Sequence, residues 1–168
     1  LIYLKLHISP ETKRVVFILE TPPEREQATV ENLRNQLETH QGDFITAIDE
    51  KNIIIVRELE DSNGYDDAEM FARSVLKALC LENDEQTHIA YGTIVQELKE
   101  VSRSYKEARM ALDVGKIFFD GRNVIAYSSL GIGRLIYQLP IPLCKMFIKE
   151  IFAQKSPDDF DEETLMTL

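Results

Sequence analysis

The 168-residue sequence has no tryptophan, two cysteines, three histidines and seven glycines. Each scarcity removes a class of chemistry. Cys80 and Cys144 are far apart, and neither belongs to a CxxC or a Cys/His ligand spacing, so a structural zinc site and dithiol redox chemistry lack their residues. Each lies in an apolar helical stretch and is expected to be a buried thiol in a reducing cytoplasm; a disulfide between the two stays open. His7, His40 and His88 show no HxxxH or HExxH spacing, which leaves zinc hydrolysis without ligands. No GxSxG elbow and no GxxxxGKS/T loop is present. Basic residues are also short: 19 Lys and Arg face 29 Asp and Glu, a net charge of −10. Gripping a phosphate backbone rests on clustered Lys and Arg, so this chain is not expected to hold nucleic acid by itself, nor a membrane surface. No uncharged apolar run approaches the ~20 residues of a spanning helix, and the first residues do not read as a signal peptide.

What is present is ordinary globular material. Hydrophobic residues make up 44% and charged residues 29%, enough for one domain that needs no disulfide or metal to hold its core. Residues 14–21 (RVVFILET) are β-branched and apolar on both faces, which predicts a central strand ending at Pro22-Pro23. Val30, Leu33 and Leu37 recur at helical spacing over 28–40. Two apolar runs, 44–48 and 53–56, flank Asp49-Glu50-Lys51-Asn52 and predict a hairpin. A helix over 67–81 places Ala68, Phe71, Ala72, Val75, Leu76 and Leu79 on one face, and a strand is expected over 87–94. The strongest helical signal is 97–118, where Leu98, Val101, Tyr105, Ala108 and Leu112 step by three and four. A short strand at 124–127 and two helical pieces around Pro140 and Pro142 follow.

The order β-α-β-β-α-β, then α-β and helices, predicts an α+β, ferredoxin-like fold: one mainly antiparallel sheet with helices on one face. Residues 1–13 are expected to be a connector or an edge strand, 14–155 the domain, and 156–168 a linker leading into a further helix. Leu1 is not Met and 162–168 read as a helix just begun, so the chain is expected to be a piece of a longer protein.

Two groups of charged residues stand out. A ferredoxin-like sheet is also the palm of nucleotide cyclases and polymerases, which hold two metal ions with carboxylates at the end of the first strand and near the following hairpin. Glu20 ends the first predicted strand, and Asp49 and Glu50 sit in the hairpin turn, so these three are the candidate metal ligands. The plainer reading makes them strand-end and turn residues, since the hairpin has no glycine and no basic cluster lies near it in sequence. Arg103, Lys106 and Arg109 on the long helix are the candidate interface; the plainer reading is a solvated face with pairs such as Arg103–Glu107. Gly131-Ile132-Gly133 opens like a phosphate loop, but Ile136 stands where its third glycine belongs, so a turn into a helix is expected.

Gly92, the run Ser104-Tyr105-Lys106-Glu107-Ala108-Arg109-Met110-Ala111-Leu112, Tyr127, Leu130-Gly131 and Leu135 through Leu139-Pro140 form a pattern. Over 91–140 it resembles the central domain of bacterial transcription regulators of the sugar-diacid and purine-catabolism (CdaR/PucR-type) family. That resemblance implies a GGDEF-like domain with the fold of diguanylate cyclases. The hairpin, Ile48-Asp49-Glu50-Lys51-Asn52-Ile53, lacks the Gly-Gly-Asp/Glu-Glu-Phe of the cyclases, so the expected module is not an enzyme and has no cofactor. The resemblance further implies a cytoplasmic homo-oligomer that links an upstream effector sensor to a C-terminal helix-turn-helix. DNA would then be met only through that absent domain, with no membrane and with room for a small-molecule effector. The alternatives are a diverged nucleotide-binding palm and a module that itself senses a diacid.

Overall fold

The structure is a computed structural model and describes residues 10–22, 26–36, 43–60, 64–81, 84, 86–119 and 121–152. Along the chain run β1 (Lys13–Glu20), α1 (Glu26–Gln36), β2 (Phe44–Ala47), β3 (Asn52–Leu59), α2 (Tyr65–Ala78), β4 (His88–Tyr91), α3 (Val101–Phe118), β5 (Val124–Ala126), α4 (Gly133–Gln138) and α5 (Ile141–Phe152). The five strands form one sheet in the order β2-β3-β1-β4-β5. All neighbours are antiparallel except β4 and β5, so the α+β, ferredoxin-like expectation holds, with β5 added at the edge.

The central position of β1 follows from its composition. Val15 to Leu19 are all fully buried, and alternate residues enter two different cores. Val15, Phe17 and Leu19 join Leu33 of α1 and Ala68, Ala72, Val75 and Leu76 of α2. Ile18 points the other way and joins Ala90, Ile125 and the α3 residues Ala108, Ala111, Leu112 and Val114. Helices therefore cover both faces, not the single face expected. A sheet whose middle strands are apolar on both sides leaves a second face that must be buried, and α3 buries it.

α3 begins at Val101, after a single 3-10 turn over Leu98–Glu100. Its buried stripe also differs from the expected one. Ser104, Ala108, Ala111 and Gly115, with Leu112 and Val114, face the sheet, while Leu98, Val101 and Tyr105 are half-buried at its margin. Small residues on that stripe let the helix approach closely: a Cβ on Gly115 would lie 2.4 Å from Ile125 Cδ1. The strand expected over 87–94 stops at Tyr91; Gly92 N–H still donates to Val16 O, and a bridge to β1 forms again at Val95, which exchanges backbone hydrogen bonds of 2.8 Å with Arg14.

Cys80 is exposed, contrary to the buried position expected. It follows α2 in a left-handed conformation (φ 55°), and Leu81 N–H donates back to Leu76 O at 2.9 Å. This closes the helix through the hydrogen bond of a Schellman turn, and the residue at that bend faces solvent. Cys144 is partly buried, and both thiols are free. Gly131 (φ 53°) makes the turn before α4, as expected of that glycine pair.

The chain divides into two compact units, residues 1–133 and 134–168. In the second, α5 is apolar around much of its circumference, and Ile141, Leu143, Met146, Phe147, Ile148 and Ile151 are exposed. Of the expected edge strand or connector over 1–13, residues 1–9 lie outside the described residues, as does the linker over 156–168. No described helix is long and apolar enough to cross a membrane.

Candidate functional site

The end of β1 is where the sheet brings charged groups together. Glu20 pairs across the ladder with Asn52 of β3 on one side and His88 of β4 on the other. It follows Ile18 by two residues, so its side chain is on the α3 face. There Lys116, from the last turn of α3, donates to both carboxylate oxygens at 2.8 and 3.0 Å. His88 Nδ1 lies 4.0 Å from Glu20 Oε2, and this buried nitrogen has no hydrogen-bond partner among the described residues.

The β2–β3 hairpin meets the same end of the sheet, since Thr21 N–H donates to Lys51 O at 2.8 Å. Asp49 closes the hairpin as an Asx turn: its Oδ1 accepts from Lys51 N, Asn52 N and Asn52 Nδ2, each at 2.9 Å. Its Oδ2 accepts again from Asn52 Nδ2 at 2.9 Å. The Lys51 backbone N–H, then the Asn52 side chain, hold the Asp49 carboxyl below the ordinary carboxylate range, and the charge of Arg109 adds to this. Glu50 is exposed beside it.

The structure thus collects Glu20 and Asp49 at one end of the sheet, with Asn52 between them. It also gives each carboxylate an internal partner, a lysine for one and a turn for the other. Among the described residues no group of three or more His, Cys, Asp or Glu is placed to hold a metal. Sequence reasoning passed over Asn52 and Lys116. Asn52 is legible once the hairpin register is known, whereas Lys116 is 96 residues from Glu20 and nothing local marks it.

His88 offers a pH-dependent readout of this corner. Burial pushes its pKa below the free imidazole value of 6.5, against the opposing pull of Glu20. The unfolded chain therefore binds a proton at higher pH than the folded one. The contribution of His88 to stability is complete above about pH 6.5 and is lost as the pH falls through its folded value. Urea melts between pH 7.5 and 5 are expected to show wild type losing more stability on acidification than His88→Gln. Parallel curves would rule this out.

Arg103, Lys106 and Arg109 are exposed on the outer face of α3. Arg103 pairs with Glu100 at 3.2 Å and Arg109 with Asp113 at 3.5 Å. The expected Arg103–Glu107 pair does not form, because Glu107 turns to Thr93 and accepts its backbone N–H at 2.8 Å and its hydroxyl. That places Glu107 as a clamp between α3 and the loop after β4.

Residues 4–114 match the family model described as a GGDEF-like domain. No curated protein matches the chain.

Proposed function

Since the chain belongs to the GGDEF-like domain family, we propose that it is the non-catalytic regulatory and dimerisation module of a cytoplasmic transcription regulator resembling the sugar-diacid regulators. In this reading it sits between an effector sensor and a DNA-binding helix-turn-helix. Helix-turn-helix proteins dimerise to match two half-sites, and a module in this position sets the spacing or orientation of its neighbours.

The observation that carries the non-catalytic part is Lys116 on Glu20. A cyclase palm uses the first-strand carboxylate to hold a metal against phosphates. Here an ammonium group occupies both oxygens of that carboxylate, and Asp49 is engaged by the hairpin's own N–H groups. The uncovered apolar residues of α5 support association with a second copy.

The test combines two measurements. Melting of the chain is expected not to move with GTP, ATP or a cyclic dinucleotide in Mg²⁺ or Mn²⁺, and light scattering across a wide concentration range is expected to give a dimer. A nucleotide- and metal-dependent rise that disappears in Glu20→Ala would establish a diverged nucleotide-binding palm instead. A monomer at every concentration would remove the dimerisation role.

A further inference from the structure

A second polar site lies on the opposite face of the sheet from Lys116, between α2 and the β5 edge. β5 turns Ile125 into the α3 core, so Val124 and Ala126 face the α2 side. Together with Leu76 and Tyr91 they floor a cavity of about 410 Å³, inside the range of small-molecule sites. Its walls are polar. Glu69 and Arg73 come from α2, and Gly121, Arg122, Asn123 and Ser129 from the segments flanking β5.

The charges differ in how far they are already matched. Arg73 donates to Glu69 Oε1 through Nε at 3.1 Å and Nη2 at 2.8 Å, so that pair is internally neutralised. Arg122 stacks its guanidinium over the Phe119 ring, 5.2 Å from the centroid, and forms no ion pair among the described residues. Stacking presents a flat guanidinium whose N–H edge stays free to fork onto a carboxylate. Asn123 and Ser129 add neutral hydrogen-bonding groups. Burial raises the Tyr91 hydroxyl to about 12, which keeps it a neutral phenol able to donate.

We propose that this cavity binds a small organic monocarboxylate, its carboxylate on Arg122 and its apolar body on Leu76, Val124 and Ala126. Two guanidinium groups and one carboxylate leave the described lining with one net positive charge, which one carboxylate balances. A phosphate dianion would be left undercompensated on a chain whose net charge is −10. The inference does not depend on whether the chain serves a transcription regulator.

The test is a two-dimensional ¹⁵N NMR titration of the whole chain at constant ionic strength. The probes are benzoate and hexanoate, with benzamide as the neutral counterpart and inorganic phosphate as the competing anion. At least one carboxylate is expected to give saturable shifts at the Gly121, Asn123 and Ser129 amides, with affinity at least tenfold above benzamide. Arg122→Gln is expected to weaken it at least fivefold, and Lys99→Gln, an exposed lysine outside the cavity lining, to leave it unchanged. Shifts that do not saturate, that are equal for benzamide, or that survive Arg122→Gln would overturn the proposal, as would tighter binding of phosphate. Should Arg122→Gln fail to fold, the comparison of benzoate with benzamide on wild type still decides.

Discussion

Gly92→Ala is expected to destabilise the chain by about 3 kcal/mol or more, at the upper end of what overpacking a well-filled site costs. A Cβ at this position would lie 2.1 Å from the Ser104 carbonyl oxygen and 2.8 Å from both the Ser104 carbonyl carbon and Oγ. Two of these atoms are helix backbone, so no side-chain rotation relieves the clash. α3 must lift, and several bonds go with it. Ser104 Oγ accepts the buried Val16 N–H at 3.1 Å, and Glu107 accepts the Thr93 N–H at 2.8 Å and its hydroxyl.

For a chain of this size, that loss corresponds to a fall in melting temperature of roughly 6–12 °C. Ser104→Ala separates the two contributions. It keeps the space and removes only the acceptor for Val16 N–H, for an expected cost of about 1–3 kcal/mol. Denaturant unfolding of both variants checks the order. A Gly92→Ala protein that melts within a degree of wild type would show that α3 does not rest on this residue.

The second large effect is expected at Glu58→Ala, about 3 kcal/mol. Arg14 has no solvent exposure, and Glu58 stands directly opposite it in the β1–β3 ladder. Arg14 Nη2 donates to Glu58 Oε1, and Nη1 donates to Thr12 O at 3.1 Å. Removing the carboxylate takes the Glu58 charge away from a buried guanidinium, and breaking a fully buried pair in this way costs about 3–5 kcal/mol. The lower figure applies because the Glu58 side chain remains 22% exposed.

Replacing both partners, Arg14→Met with Glu58→Met, removes the buried charge together with its Glu58 partner and is expected to recover most of the loss. The pair's contribution should also change little between low and high salt, because a buried pair is poorly screened. If the double variant is no more stable than Glu58→Ala, the ion pair is not the source of the effect.

The first of these effects bears on the proposed function through α3. The helix rests on the Gly92–Ser104 contact at its N-terminal end and brings Lys116 to Glu20 at its C-terminal end. A disturbance at Gly92 therefore reaches the carboxylate corner through one rigid element. A Gly92→Ala protein that retains a fold is expected to show a changed environment at His88.

How much of this was legible beforehand depended on the range of the interaction. The apolar run through Phe17 and Ile18 marked a strand buried on both sides, and the six-residue face of α2 was readable from spacing: Ala68, Ala72, Val75 and Leu76 are buried and Phe71 and Leu79 half-covered. The hairpin was announced by two β-rich runs around a polar turn, and Asp49 closes it with bonds to residues two and three positions on. These features rest on neighbours along the chain, so local periodicity and turn chemistry suffice to specify them.

The packing of α3 was not legible in the same way. Its large apolar residues mark a helix, but which side meets the sheet is decided by how closely backbone can approach backbone. That puts Ser104, Ala108, Ala111 and Gly115 inward and leaves Tyr105 at the margin. Arg14 opens the predicted strand, and its complete burial is not legible there, because β3 supplies Glu58 from 44 residues away.

By itself, then, the sequence determined the elements, their order and a sheet with β1 at its centre, since hydrophobic burial along a strand or helix is a property of consecutive residues. Only the tertiary structure decided that the carboxylate at the end of β1 is neutralised, that helices cover both faces, and that Arg122, Arg73 and Tyr91 line one cavity. Each of those depends on register and crossover geometry, which set distances between groups that no local pattern relates.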